Sequence, residues 1–112
     1  MKKIWSSAKS KKARKKLYLT LLPHIVRVAR KSGYAIGVHG SMTRDMDIIA
    51  VPWVDRAVPP KVLAYRIHKT VCKYHYTPEF LDADVTVKPR GRLSWALILG
   101  SGGAYIDLSV TQ

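Results

Sequence analysis

Asp45 and Asp47 flank a single methionine in the run Val38-His39-Gly40-Ser41-Met42-Thr43-Arg44-Asp45-Met46-Asp47-Ile48-Ile49-Ala50-Val51. On a strand, residues i and i+2 share a face, with Cα atoms about 6.7 Å apart. Each bare carboxylate in a core strand costs several kcal/mol to desolvate. A divalent cation offsets that cost. Mg²⁺ takes one or two carboxylates and completes its shell with water and substrate phosphates. The pair therefore reads as a metal site, the plainer alternative being two acids on a solvated edge strand. Asp107 interrupts Tyr105-Ile106-Asp107-Leu108-Ser109-Val110, a segment otherwise suited to the core. It completes a cluster of three if the last strand lies beside the second. The other acids fit less well: Asp55 and Glu79 lie near prolines in expected loops, and Asp82 and Asp84 pair at the entry to a strand, where solvent is the ordinary surrounding.

The elements that must position these residues follow from periodicity. Residues 6 to about 18 can form a helix capped by Ser6 or Ser7, and Pro23 marks a new start or a kink. Leu22, Ile25, Val26 and Ala29 form an amphipathic stripe, with Gly33 as the C′ residue. Strands are predicted over about 34–39 and 44–52, joined by a turn at Gly40-Ser41. Pro52, Pro59 and Pro60 bracket a loop. Leu63, Ile67, Val71 and Tyr74 then repeat at helical spacing, and Pro78 excludes further helix. Strands follow over about 84–88, 92–99 and 104–110, connected by Lys88-Pro89-Arg90-Gly91-Arg92 and by a β-turn at Gly100-Ser101-Gly102-Gly103. Leu93, Trp95, Leu97 and Leu99 share one face, and Ile106, Leu108 and Val110 oppose Tyr105, Asp107 and Ser109. The order α-β-β-α-β-β-β implies an α+β fold: a small mixed sheet of about five strands with helices mainly on one face.

Charge sets the chain apart. Twenty Lys and Arg oppose seven acids among 112 residues, a net charge of +13. Residues 1–16 hold eight of the bases and no acid, so a basic arm precedes a single domain over 17–112. Lys9, Lys11, Lys12, Arg14, Lys15 and Lys16 have the character of a nucleic-acid contact. Neutralising five to eight phosphates would give a log–log salt slope of roughly −4.5 to −7. The alternative is a solvated tail. Membrane-surface binding is disfavoured, since Ile4 and Trp5 are the arm's only bulky apolar residues. No apolar stretch reaches the roughly 18 residues of a membrane span, and the first residues lack the apolar segment of a signal peptide. A lone Cys72, expected in the core, excludes an internal disulfide and a thiolate zinc site and suggests a reducing cytoplasm. His24, His68 and His75 show no metal-ligand spacing, and His68 and His75 are expected on a helix surface.

Three pieces now stand in order: Val38-His39-Gly40-Ser41, Asp45-Met46-Asp47 and Ile106-Asp107-Leu108. Together they resemble the signature of the nucleotidyltransferase superfamily, the polymerase-beta-like fold: a strand ending in Gly-Ser or Gly-Gly, an Asp-x-Asp strand, and a third Asp on a later strand. The His-Gly-Ser, Arg-Asp-x-Asp, Gly-Arg-Leu-x-Trp and Tyr-Ile-Asp-Leu-Ser runs are also similar to small phage and prophage proteins. The match spans roughly 17–112 and leaves the arm outside. The chain departs from the pattern between Gly-Ser and the first Asp, where only Met42, Thr43 and Arg44 replace a longer segment that helps cradle the triphosphate.

The resemblance implies that Asp45 and Asp47 hold Mg²⁺ (or Mn²⁺) on an NTP and that all three acids hold a second ion, with Asp107 the best general-base candidate. Gly40, Ser41 and His39 would lie at the nucleotide, and Lys88, Arg90 and Arg92 would neutralise pyrophosphate or an acceptor. Transfer of a nucleoside monophosphate to a nucleic acid (RNA or DNA) or a protein is the activity implied, in the cytoplasm, or the host cytoplasm for a phage protein. The alternative is a catalytically inactive basic phage protein that binds nucleic acid or inhibits a host nucleic-acid or defence complex; a nucleic-acid-coating role is a weaker third.

Overall fold

Ser10, in extended conformation, starts the first helix, α1 (Lys11–Lys31), its hydroxyl accepting from the Ala13 N–H at 3.0 Å. This cap satisfies one of the orphan donors of the first turn. It falls later than Ser6 or Ser7, so Lys11, Lys12, Arg14, Lys15 and Lys16 form the opening turns of α1. The computed structural model describes residues 10–75, 85–99 and 103–111. The expectations placed on Lys9 and the rest of residues 1–9, on Pro78, Glu79, Asp82 and Asp84, and on Gly100-Ser101-Gly102 lie outside the described residues.

α1 does not restart at Pro23. That residue is exposed, so the carbonyl deprived of its N–H partner faces the solvent side. The buried stripe is Leu17, Tyr18, Leu21, Ile25 and Ala29. It shares Ile25 and Ala29 with the expected stripe and leaves Leu22 and Val26 half-buried at its margin. Gly33 follows the Ser32 cap at φ +95°, and a Cβ there would come within 2.7 Å of the Ala57 Cα. Only glycine fits that approach.

The strands β1 (Tyr34–His39), β2 (Met46–Pro52), β3 (Val85–Val87), β4 (Leu93–Ile98) and β5 (Tyr105–Val110) form one sheet in the order β1-β2-β5-β4-β3. β2 and β5 are parallel and the other neighbours antiparallel. A second helix, α2 (Pro60–Cys72), lies between β2 and β3 in the chain. The element order and the mixed, α+β character are those predicted. Burial alternates along β2 and β5. Met46, Ile48, Ala50, Ile106, Leu108 and Val110 join Trp95 and Leu97 of β4 in one core with the helices, to which α2 contributes Leu63, Ala64, Ile67 and Val71. The alternate residues, Asp47, Ile49, Asp107 and Ser109 among them, face away from that core.

Two expectations at the end of α2 are corrected. The chain turns inward after Cys72, so His75 is buried rather than on a helix surface, its N–H donating to the Val71 carbonyl at 2.9 Å. Cys72 is half-buried rather than a core residue, with its Sγ 3.8 Å from the His68 ring nitrogens. Among the described residues, no helix is long and apolar enough to cross a membrane.

Candidate active site

Register brings the acids together. β2 and β5 run in parallel with Asp47 directly opposite Asp107, on neighbouring strands about 4.8 Å apart. Both side chains alternate out of the core, and a slip of one residue would turn one of them inward. β2 begins at Met46, so Asp45 stands immediately before the strand rather than within it, where the predicted span of about 44–52 places it. One carboxylate oxygen from each of Asp45, Asp47 and Asp107 lies within 4.8 Å of the other two.

The loop that carries Asp45 is short and turns hard, with Gly40 at φ +86° and Met42 at φ +60°. Helix α1 holds it in place. Arg14 Nε donates to the Thr43 carbonyl at 2.7 Å, and the Tyr18 hydroxyl donates to the Arg44 carbonyl at 2.6 Å. The same hydroxyl accepts from the Tyr105 N–H at 3.2 Å. One fully buried tyrosine thus ties the residue before Asp45 to the first residue of the strand bearing Asp107. Ser94, opposite Ser109 on β4, donates to Asp107 Oδ1 at 2.9 Å. Sequence reasoning missed Tyr18 and Ser94 and gave Arg14 only a surface role. A tyrosine within an apolar helical stripe is a visible signal of a buried hydroxyl needing partners, but nothing local names those partners.

Crowding of like charges has its expected effect. Desolvation, then the neighbouring Asp45 and Asp107 carboxylates, push Asp47 up from 3.8 to about 6. Tyr105 is also raised, by desolvation first and then by Asp45. A hard, all-oxygen donor set whose members repel one another fits a divalent ion such as Mg²⁺ or Mn²⁺.

A cleft of about 330 Å³ adjoins the cluster, and His39, Asp47, Arg92, Asp107 and Ser109 contribute to its lining. Arg92 Nε is buried and has no hydrogen-bond partner among the described residues. A charged donor left unpaired beside carboxylates and a cleft is suited to an anionic ligand. His39 pairs with Asp47 across β1 and β2. A Cβ on Gly40 would lie 3.6 Å from Asp47 Oδ2, so the backbone passes close to the acid.

No known sequence family matches the chain, and neither does any curated protein. The folded backbone is similar to that of the RNA terminal uridylyl transferase Cid1, with a TM-score of 0.54 and 15% identity. The chain has the nucleotidyltransferase fold, polymerase-beta-like. The likeness covers 91% of this chain and 31% of Cid1, so the chain spans about a third of that protein's length.

Within this nucleotidyltransferase fold the remaining predicted residues divide. Gly40, His39 and Arg92 are at the acids or their cleft. Ser41 is exposed in the turn, its Oγ 2.9 Å from Thr43 Oγ1. Lys88 and Arg90 belong to the β3–β4 connection, where the Lys88 N–H closes onto the Arg92 carbonyl at 2.7 Å and Arg90 stands exposed at φ +66°. They do not line the cleft with Arg92. Lys11, Lys12, Arg14, Lys15 and Lys16 are on α1 and do not line the cleft, though Arg14 reaches the Thr43 carbonyl.

Proposed function

We propose that this protein is a metal-dependent nucleotidyltransferase moving a nucleoside monophosphate from an NTP to a nucleic-acid acceptor. The observation that carries the reading is the convergence of Asp47 and Asp107 on neighbouring strands and Asp45 just before β2, with one carboxylate oxygen of each within 4.8 Å of the others, in a chain of this fold. Asp45, Asp47 and Asp107 would hold the metal. When bound, a divalent ion neutralises the three carboxylates and polarises the phosphate oxygens.

The chain's own groups supply the rest. Backbone N–H groups at Gly40-Ser41 and the Ser41 hydroxyl bind triphosphate oxygens. The acceptor hydroxyl attacks the α-phosphorus, the bond to pyrophosphate breaks, and the hydroxyl proton passes to Asp107, which Ser94 orients. Arg92, with its unpaired Nε, takes up charge on the departing pyrophosphate. His39 flanks the nucleotide. An RNA acceptor is favoured by the likeness to a terminal uridylyl transferase and by the excess of positive charge.

The test is incubation with each α-³²P-labelled NTP, Mg²⁺ and total RNA. Label should enter RNA with at least one NTP, fall at least about 100-fold in Asp47→Asn, and vanish in EDTA. Absence of labelling with all four NTPs and with protein or DNA acceptors would leave a basic nucleic-acid-binding protein.

A further inference from the structure

The groups that this chemistry leaves unused concentrate on the helical layer. α1 carries eight Lys and Arg and α2 three, and neither has an acid. The described carboxylates all lie in strands and loops, at Asp45, Asp47, Asp55 and Asp107. Half of the bases on α1 fall on one polar stripe. Lys12, Lys16, Thr20, His24, Arg27 and Lys31 follow one another at helical steps of three or four residues, which keeps them on one stripe. At 1.5 Å per residue the stripe is about 28 Å long.

Its C-terminal end opens into a hollow of about 260 Å³ between α1 and the end of α2. His24, Arg27 and Lys31 line it from one side, Thr70, Lys73 and Tyr74 from the other. The His24 and Tyr74 rings stack at 3.9 Å, 19° from parallel, which joins the two walls. Arg27, Lys31 and Lys73 stand exposed around it. The N-terminal half of α1 reaches the loop before Asp45 through Arg14 and Tyr18. Those two residues project from the buried side of α1, a different face from the stripe.

Within the stripe Lys12 and Lys16, and again Arg27 and Lys31, are like charges four residues apart, which repel, and no acid on either helix offsets them. The chemistry that would is a polyanion with regularly spaced charge. A lipid surface would need an apolar stripe beside the basic one, yet Leu17, Tyr18, Leu21, Ile25 and Ala29 are committed to the core. A protein partner would need apolar or aromatic anchors, and Leu19 is the only large exposed hydrophobic on α1. We propose that this stripe and hollow form a track for a nucleic-acid strand, with Arg27, Lys31 and Lys73 gripping its phosphates. The inference deepens the nucleic-acid acceptor reading and rests on it for the acceptor's class, not for the chemistry.

Binding is measured by fluorescence anisotropy of a labelled single-stranded RNA of about 20 nucleotides, in EDTA without NTP, so that it is read apart from catalysis. Arg27→Gln/Lys31→Gln/Lys73→Gln should bind at least about tenfold more weakly at about 50 mM salt. Its log–log salt slope should be shallower by about 2, for three phosphates at about 0.7 each. A charge-matched variant, Arg30→Gln/Arg56→Gln/Lys69→Gln, should lose less in both. The proposal is overturned by an unchanged affinity or slope, by an equal loss in the charge-matched variant, or by polyglutamate competing as well as RNA at equal charge.

Discussion

Tyr18 has one hydroxyl and two duties: it donates to the Arg44 carbonyl and accepts from the Tyr105 N–H. Tyr18→Phe keeps the ring in the core and removes both bonds, leaving a carbonyl and an N–H short of partners. The expected loss is about 1–3 kcal/mol in urea denaturation, together with weaker Mn²⁺ binding, because the acid-bearing segments lose their common tie. Asp47 gives the opposite sign. Its folded value of about 6 lies above the ordinary 3.8, so the folded state holds an extra proton between about pH 4 and 6. That contribution to stability is full below about pH 4 and is lost as pH rises through 6. Asp47→Asn should therefore stabilise the metal-free protein at pH 7.5 by about 1 kcal/mol, after allowing for solvent screening of a partly exposed group, while abolishing metal binding. Thermal melting with and without Mg²⁺ checks both halves. In the unsubstituted protein, Mg²⁺ affinity should fall as pH drops through 6, when a proton competes for the site.

Elements tell a different story about what a sequence discloses. The alternation of Ile106, Leu108 and Val110 against Tyr105, Asp107 and Ser109 is local, so β5 and its two faces were legible, as was the α2 stripe of Leu63, Ile67 and Val71. Gly33 was legible too, because a helix end needs a residue tolerant of positive φ. Its close approach to Ala57 was not, since that contact joins separate segments. Gly33→Ala meets the Ala57 Cα at 2.7 Å in addition to φ strain, whereas Gly103→Ala, at φ +77°, meets nothing within 4 Å. The first should cost at least about 2 kcal/mol and the second about 1, compared by chemical denaturation. The start of α1 was misplaced because Ser6, Ser7 and Ser10 are equally good caps, and no local rule ranks them. The cluster itself was legible only conditionally. Asp45 and Asp47 announce themselves by spacing, but the pairing of Asp47 with Asp107 depends on β5 inserting beside β2, across about 60 intervening residues.

At the scale of the whole molecule, charge is sorted by layer. The helices carry bases without acids, and the three clustered carboxylates stand on two strand residues and the residue just before β2, out of the core. A net charge of +13 attracts polyanions and steers their approach, while the acid cluster gives a cation a place to sit between protein and phosphate. Both features serve one account only if the cluster binds metal. The direct measurement is a crystal soaked in Mn²⁺ and recorded at an energy where manganese scatters anomalously. The account predicts a peak about 2.0–2.4 Å from oxygens of Asp45, Asp47 and Asp107, lost in Asp47→Asn. Carboxylates splayed apart, with no anomalous peak among them at millimolar Mn²⁺, would contradict it.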